Sequence, residues 1–185
     1  MEVTETRLPG VLVIEPKVFG DERGFFMETW NEARYKQTGL PYRFVQDNLS
    51  FSQKGVLRGL HFQNPDEQGK LVYVLQGEVF DVAVDIRVGS PTFGEWTGVT
   101  LSSENKRQFY VPEGFAHGFI VTSDAALFAY KCTALYNARA EGGVLWNDLE
   151  IGVEWPIEEP TLSEKDRNAP PLSEIPEERL PRYER

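Results

Sequence analysis

Only two histidines occur in the 185 residues, His61 and His117. An imidazole titrates close to neutrality, so either is a candidate general base or acid. His61 has basic company: Arg58 stands three positions before it and Lys70 nine after, where an apolar run opens. Three cationic or protonatable groups so close in sequence suggest a pocket that faces an anion. Two readings stand for His61, a satisfied histidine near a strand end or a working base. For Arg58 and Lys70 the alternative is solvated charge at strand ends. Strict alternation would put Arg58 and His61 on opposite faces of a strand. Both reach one pocket only if the strand bends or bulges, and Gly59 is the residue that permits it. Tyr130, in Leu127-Phe-Ala-Tyr-Lys-Cys-Thr133, reads as an amphipathic strand tyrosine or as a weak acid. Asp166, in Leu162-Ser-Glu-Lys-Asp166, looks from its neighbours like an exposed acid in a polar tail.

The elements that must position these groups are mostly strands. Aromatic and β-branched runs bounded by Gly, Pro, Asn and Ser predict strands over 11–19, 24–30, 43–52, 56–63, 70–76, 78–87, 95–102, 107–111, 117–121 and 126–136. The 78–87 run is the clearest: Phe80, Val82, Val84 and Ile86 alternate with Asp81, Ala83, Asp85 and Arg87. Gln76-Gly77 reads as a hairpin turn, with glycine supplying a positive φ. One helix is expected from Asn31 to about Thr38, closed by Gly39 and Pro41. From Trp155 onward, repeated prolines and acidic residues exclude a central strand, and about 172–185 reads as a peripheral tail. Many short strands in one chain of this length point to a single all-β domain over 1–185, a closed barrel or two-sheet jelly roll.

Composition narrows the partners. With 19 basic against 29 acidic residues the net charge is −10, which disfavours phosphate-driven nucleic-acid binding and docking on an anionic membrane. It leaves open an anionic ligand in a locally basic pocket. No apolar run approaches the ~20 residues of a membrane span. Residues 1–10 lack the apolar core of a signal peptide, and Cys132 is the only cysteine, so a reducing cytoplasm is the expected compartment.

Val111-Pro-Glu-Gly-Phe-Ala-His-Gly118 has the Pro-x-Gly-x-x-His form common in cupins, small jelly-roll barrels. A metal-binding cupin typically uses three histidines and a carboxylate. Two histidines cannot supply that set, and Gln63 stands where a His-x-His pair would place its second imidazole. No metal is therefore expected, and the barrel should do acid–base work or simply bind.

Several stretches together are more specific. Gln46-Asp-Asn-Leu-Ser-Phe-Ser52, Gly55-Val-Leu-Arg-Gly-Leu-His-Phe-Gln63, Lys70-Leu-Val and Val79-Phe-Asp-Val-Ala-Val-Asp-Ile-Arg87 occur in order. Ser90-Pro-Thr-Phe-Gly94, the His117 stretch through Phe119, Trp146-Asn-Asp148 and Leu162-Ser-Glu-Lys-Asp166 follow. From about Leu8 to Pro171 the chain resembles the dTDP-4-dehydrorhamnose 3,5-epimerases.

The resemblance implies a metal-free, cofactor-free cupin jelly roll working as a homodimer on a dTDP-hexose. The substrate would be dTDP-4-dehydro-6-deoxy-D-glucose, inverted at C3 and C5 through enolates beside the C4 ketone. It implies His61 as base, Asp166 as its orienting partner, Tyr130 as acid on the opposite face and Lys70 beside the C4 oxygen. It further implies Arg23, Glu28, Gln46, Asn48, Arg58, His117, Glu141 and Lys165 as substrate-binding positions. Guanidinium pairs such as Arg23 and Arg58 suit a diphosphate. Members of the family exchange N-terminal strands, so Arg23 and Glu28 could serve the partner's site. Phe19 and Phe26 are expected either to pack on the nucleotide or to join the core. The alternatives are an epimerase acting at C3 or C5 only, and a non-catalytic sugar-nucleotide-binding cupin.

Overall fold

The computed structural model describes residues 1–40 and 43–183. Residues 41, 42, 184 and 185 lie outside the described residues, and with them Pro41 and the last two positions of the expected tail.

Strands appear where the alternating patterns predict them, with altered ends. They are β1 (Glu2–Glu5), β2 (Leu12–Glu15), β3 (Val18–Asp21), β4 (Gly24–Met27), β5 (Gln46–Gln53), β6 (Leu57–Gln63) and β7 (Lys70–Gln76). Then come β8 (Glu78–Asp85), β9 (Trp96–Ser102), β10 (Gln108–Val111), β11 (Phe115–Val121), β12 (Ala125–Cys132) and β13 (Glu141–Gly143). The expected 11–19 strand is two strands, broken around Pro16, which cannot donate to a ladder. The expected 126–136 strand ends at Cys132, where Thr133 turns back onto Gly69. Two strands were not expected: polar β1, and β13 with its glycines, which exists because β6 offers it a free edge.

A six-stranded sheet has the order β1-β2-β10-β7-β12-β5, a five-stranded sheet β13-β6-β11-β8-β9, and β3-β4 forms a separate hairpin. The pairings are antiparallel. The two large sheets make the cupin-type jelly roll. Gln76-Gly77 is a correction: β7 and β8 belong to different sheets, so this is a corner and not a hairpin turn. Gly77 does take a positive φ of 81°, and a Cβ there would lie 2.0 Å from the Ala125 carbonyl oxygen.

Apolar side chains form three packed groups. Val72, Val79, Phe109, Phe119 and Phe128 fill the space between the sheets. Leu12, Ile14, Leu71 and Tyr110 pack outside the six-stranded sheet, under helix α1 (Glu32–Lys36) and its buried Tyr35. The helix begins where expected: the side chain of Asn31 caps it by accepting the Arg34 N–H.

The third group overturns the expectation of a peripheral tail. Leu172, Ile175 and Leu180 are buried against Val82, Val84 and Ile86 of β8 and its continuation. The apolar row of the 78–87 run faces outward and needs a cover, which the tail supplies. The polar row, with Asp81, turns into the barrel. Trp155 joins the same layer, its ring edge-on to Phe80.

Candidate active site

The bulge expected at Gly59 is present. On β11 the pairing passes from His117 to Phe119, two positions, while on β6 it passes from His61 to Arg58, three positions. The extra residue is accommodated by Gly59 at φ 136°, where a Cβ would lie 2.5 Å from Gly118 Cα. Arg58 and His61 consequently line the same cavity, of about 450 Å³, together with Lys70, His117, Tyr130, Lys165 and Asp166.

Asp166 reaches His61 because the tail segment is stitched onto β6. Leu57 N–H donates to the Thr161 carbonyl at 3.0 Å, and Thr161 N–H to the Gly55 carbonyl at 2.8 Å. Two residues on, Ser163 caps α2 (Glu164–Arg167), its hydroxyl accepting the Asp166 N–H at 3.1 Å. This seats Asp166 Oδ1 2.5 Å from His61 Nε2. Burial pushes the Asp166 carboxyl pKa up, but hydrogen bonds from His61, Ser163 and the Gly59 N–H outweigh it and hold the group below its ordinary value. A carboxylate accepts, so Nε2 carries the proton and Nδ1 keeps the lone pair of a base.

His117 has an acid of its own. Its Nε2 lies 2.9 and 3.1 Å from the two oxygens of Asp81, and both side chains are buried. Burial pushes the Asp81 pKa up, with His117 and Lys70 pulling it down. Lys70, at the start of β7, is buried too; burial pushes its ammonium pKa down, opposed by Cys132, Asp81 and Glu113.

Tyr130 stands on β12 of the six-stranded sheet, whereas His61 stands on β6 of the five-stranded one. Imidazole and phenol therefore belong to opposite walls of the cavity. Burial pushes the Tyr130 pKa up, and Arg58 and Asn48 moderate it.

Other expected residues sit beside this cavity. Gln46 and Asn48 lie on the inward row of β5, with Gln46 Nε2 donating to Asn48 Oδ1 at 3.1 Å. Glu141 on β13 pairs with Lys165 and accepts the Tyr136 hydroxyl at 2.9 Å. These contacts hold the Glu141 pKa below its ordinary value against the push of burial.

Four expected residues do not converge on it. Arg23 pairs with Asp21 and Glu28 with Arg34, on and just after the β3–β4 hairpin. Phe19 and Phe26 face each other across that hairpin and are 50% and 66% exposed, so the core reading of these rings is wrong.

Sequence reasoning missed Asp81, Ser163 and Tyr136. Asp81 had a signal, an acid inside a strongly apolar strand. Ser163 had one too, since Ser-x-x-Asp is a helix-start pattern. Tyr136 lies in an irregular loop and had none.

Among the described residues no group of three or more His, Cys, Asp and Glu could hold a metal ion, and no helix is long and apolar enough to cross a membrane.

The profile of the dTDP-4-dehydrorhamnose 3,5-epimerase family matches residues 5–174. The chain belongs to this family. The Methanothermobacter thermautotrophicus dTDP-4-dehydrorhamnose 3,5-epimerase is 57% identical over 175 residues, covering 93% of this chain and 95% of that one. A crystal structure of the Legionella pneumophila dTDP-6-deoxy-D-glucose-3,5-epimerase with dTDP-4-keto-L-rhamnose superposes with TM-score 0.97 at 55% identity, covering 100% and 99% of the two chains. A Streptomyces bikiniensis 3'-monoepimerase in complex with dTDP-quinovose shares the fold at TM-score 0.86 and 34% identity, covering 91% of this chain and 86% of that one. The first two of these relatives stand nearer in sequence than the monoepimerase.

Proposed function

We propose that this member of the epimerase family inverts C3 and C5 of dTDP-4-dehydro-6-deoxy-D-glucose to give dTDP-4-dehydro-L-rhamnose. The observation that carries the reading is the His61–Asp166 pair on one wall and Tyr130 on the other, with Lys70 in the same cavity. Inversion requires removing a proton from one face and returning one to the other. His61 Nδ1 takes the proton from the carbon next to the ketone, and the electron pair moves onto the C4 oxygen. Lys70 stabilises that oxyanion, an effect on the order of 3–4 kcal/mol for a buried donor. Tyr130 then gives its proton to the opposite face, while Asp166 stabilises the imidazolium. Once solvent has taken the imidazolium proton and returned one to the Tyr130 phenolate, a second cycle at the other carbon completes the reaction. The step is a proton relocation without oxidation, so no nicotinamide is assigned a role, and the charge on the C4 oxygen is assigned to Lys70.

Arg58 and Lys165 suit the diphosphate, and Gln46, Asn48, Glu141 and the Tyr136 ring suit the nucleoside at the rim. We assign Arg23, Glu28, Phe19 and Phe26 to the cavity of a second copy, because on their own chain they do not line it. A dimer has further support in the outer face of the six-stranded sheet, where Leu49, Phe51 and Leu75 are 61%, 60% and 48% exposed. Residues 1–185 are proposed to act as one domain, in the cytoplasm.

Proton NMR of the 4-keto sugar nucleotide in D₂O tests the activity directly. Deuterium should enter at C3 and C5, and both carbons should invert. Wash-in at one carbon alone would instead assign a single-site epimerase, and none at all a binding protein. His61→Ala should abolish exchange. Tyr130→Phe should lose most inversion, by ~10²–10⁴-fold, yet retain exchange through His61. Near wild-type inversion in Tyr130→Phe would remove Tyr130 from the mechanism.

A further inference from the structure

Among the described residues, one buried side-chain oxygen or nitrogen lacks a hydrogen-bond partner: Ser50 Oγ. Buried hydroxyls in folded proteins are almost always satisfied, and leaving one unpaired costs stability. This one lines the cavity that holds His61, Lys70 and Tyr130.

The rest of the inward row of β5 is engaged. Gln46 accepts the Tyr136 N–H at 2.8 Å and donates to Asn48. The Asn48 amide lies 3.6 Å from Cys132 Sγ. Ser52 Oγ accepts from Arg58 Nε at 3.0 Å. Ser50 stands between them, one step along the row from Asn48, which pairs with Tyr130, and one step from the serine that steers Arg58. Its own cross-strand neighbour is Phe128, which offers no polar atom.

We propose that Ser50 is a substrate contact, its hydroxyl hydrogen-bonding an oxygen of the bound sugar nucleotide between Arg58 and Tyr130. The inference rests on the functional reading above. A serine hydroxyl both donates and accepts, so the ligand oxygen belongs either to a hexose hydroxyl or to the diphosphate.

The test uses the full chain with Ser50→Ala and Ser50→Thr, titrated calorimetrically with dTDP and with dTDP-glucose, a sugar nucleotide that lacks the ketone and does not enolise. Ser50→Ala should melt no lower than wild type and should bind roughly threefold to tenfold more weakly. Ser50→Thr, which keeps the hydroxyl, should recover most of the affinity. Weakening for both ligands places the oxygen on the diphosphate; weakening for dTDP-glucose alone places it on the hexose. Wild-type affinity of Ser50→Ala for both ligands, with KM for the 4-keto substrate unchanged, overturns the proposal. In that event an active wild type leaves the epimerase reading standing. A wild-type protein that binds neither ligand removes both.

Discussion

Among the described residues, Asp166 is the one hydrogen-bond partner the structure gives the His61 ring, at 2.5 Å. Asp166→Asn leaves an imidazole in place with a partner that no longer favours the Nε2 proton or the imidazolium. Turnover should fall ~10²–10⁴-fold, and deuterium wash-in at C3 and C5 should slow together. The carboxyl pKa is depressed in the folded protein, so its stabilising contribution is present above the unfolded value of ~3.9 and is lost as pH falls through the folded value. Acid melts should therefore show the wild-type advantage over Asp166→Asn shrinking below about pH 4. Lys70 has the opposite economy. Its pKa is depressed by burial, so at neutral pH the ammonium is better accommodated in the unfolded chain. Lys70→Met should raise the melting temperature at pH 7 while cutting activity ~10²–10³-fold. The stability difference should narrow as pH rises toward ~10.4, where the unfolded lysine also loses its charge. A lower melting temperature at pH 7 would mean that Lys70 contributes structural contacts that exceed its desolvation.

At the scale of elements, β6 and the tail decide whether these residues meet. The bulge at Gly59 turns Arg58 and His61 into one cavity, and β11 backbone fills the space a side chain would need. Gly59→Ala should destabilise by roughly 1–3 kcal/mol and reduce both diphosphate binding and proton exchange. Denaturant melts and dTDP titration check the two effects separately. The tail is a structural cover over the outward apolar row of β8. Leu180→Ala should cost ~2–4 kcal/mol although Leu180 does not line the cavity, and turnover of the folded fraction should stay near wild type. Loss of less than ~0.5 kcal/mol would return the tail to the peripheral role its prolines suggested.

At the scale of the whole molecule, the β3–β4 hairpin and the exposed outer face of the six-stranded sheet point to one assembly. Two copies would bury Leu49, Phe51 and Leu75 and bring Arg23 and Glu28 to the other copy's cavity. Light scattering at micromolar concentration should give the mass of a dimer. Phe51→Arg should shift it toward monomer and lower activity along with the mass. Complementation reads the crossing directly. Arg23→Ala and His61→Ala proteins, each inactive or weak alone, should regain activity when refolded together, since a mixed dimer restores one intact site. If the mixture gains nothing while forming mixed dimers, Arg23 serves its own chain.

Much of this was legible in the chain because it is local. Alternation announced the strands, Asn31 the helix start, and Gly59 a bulge where Arg58 and His61 must share a face. The two histidines made a three-imidazole metal site unattainable without any geometry. What required the folded chain was contact across long separations. Asp166 reads as a solvated acid until the Thr161 pairing lays its helix on β6, 105 positions away, because hydrogen bonding between strands carries no trace in local pattern. Gly77 announced a turn but not that its strands part into two sheets. The run with Asp81 announced its alternation but not which row faced inward. That choice followed from Leu172, Ile175 and Leu180 covering the apolar row, which left the buried acid to His117.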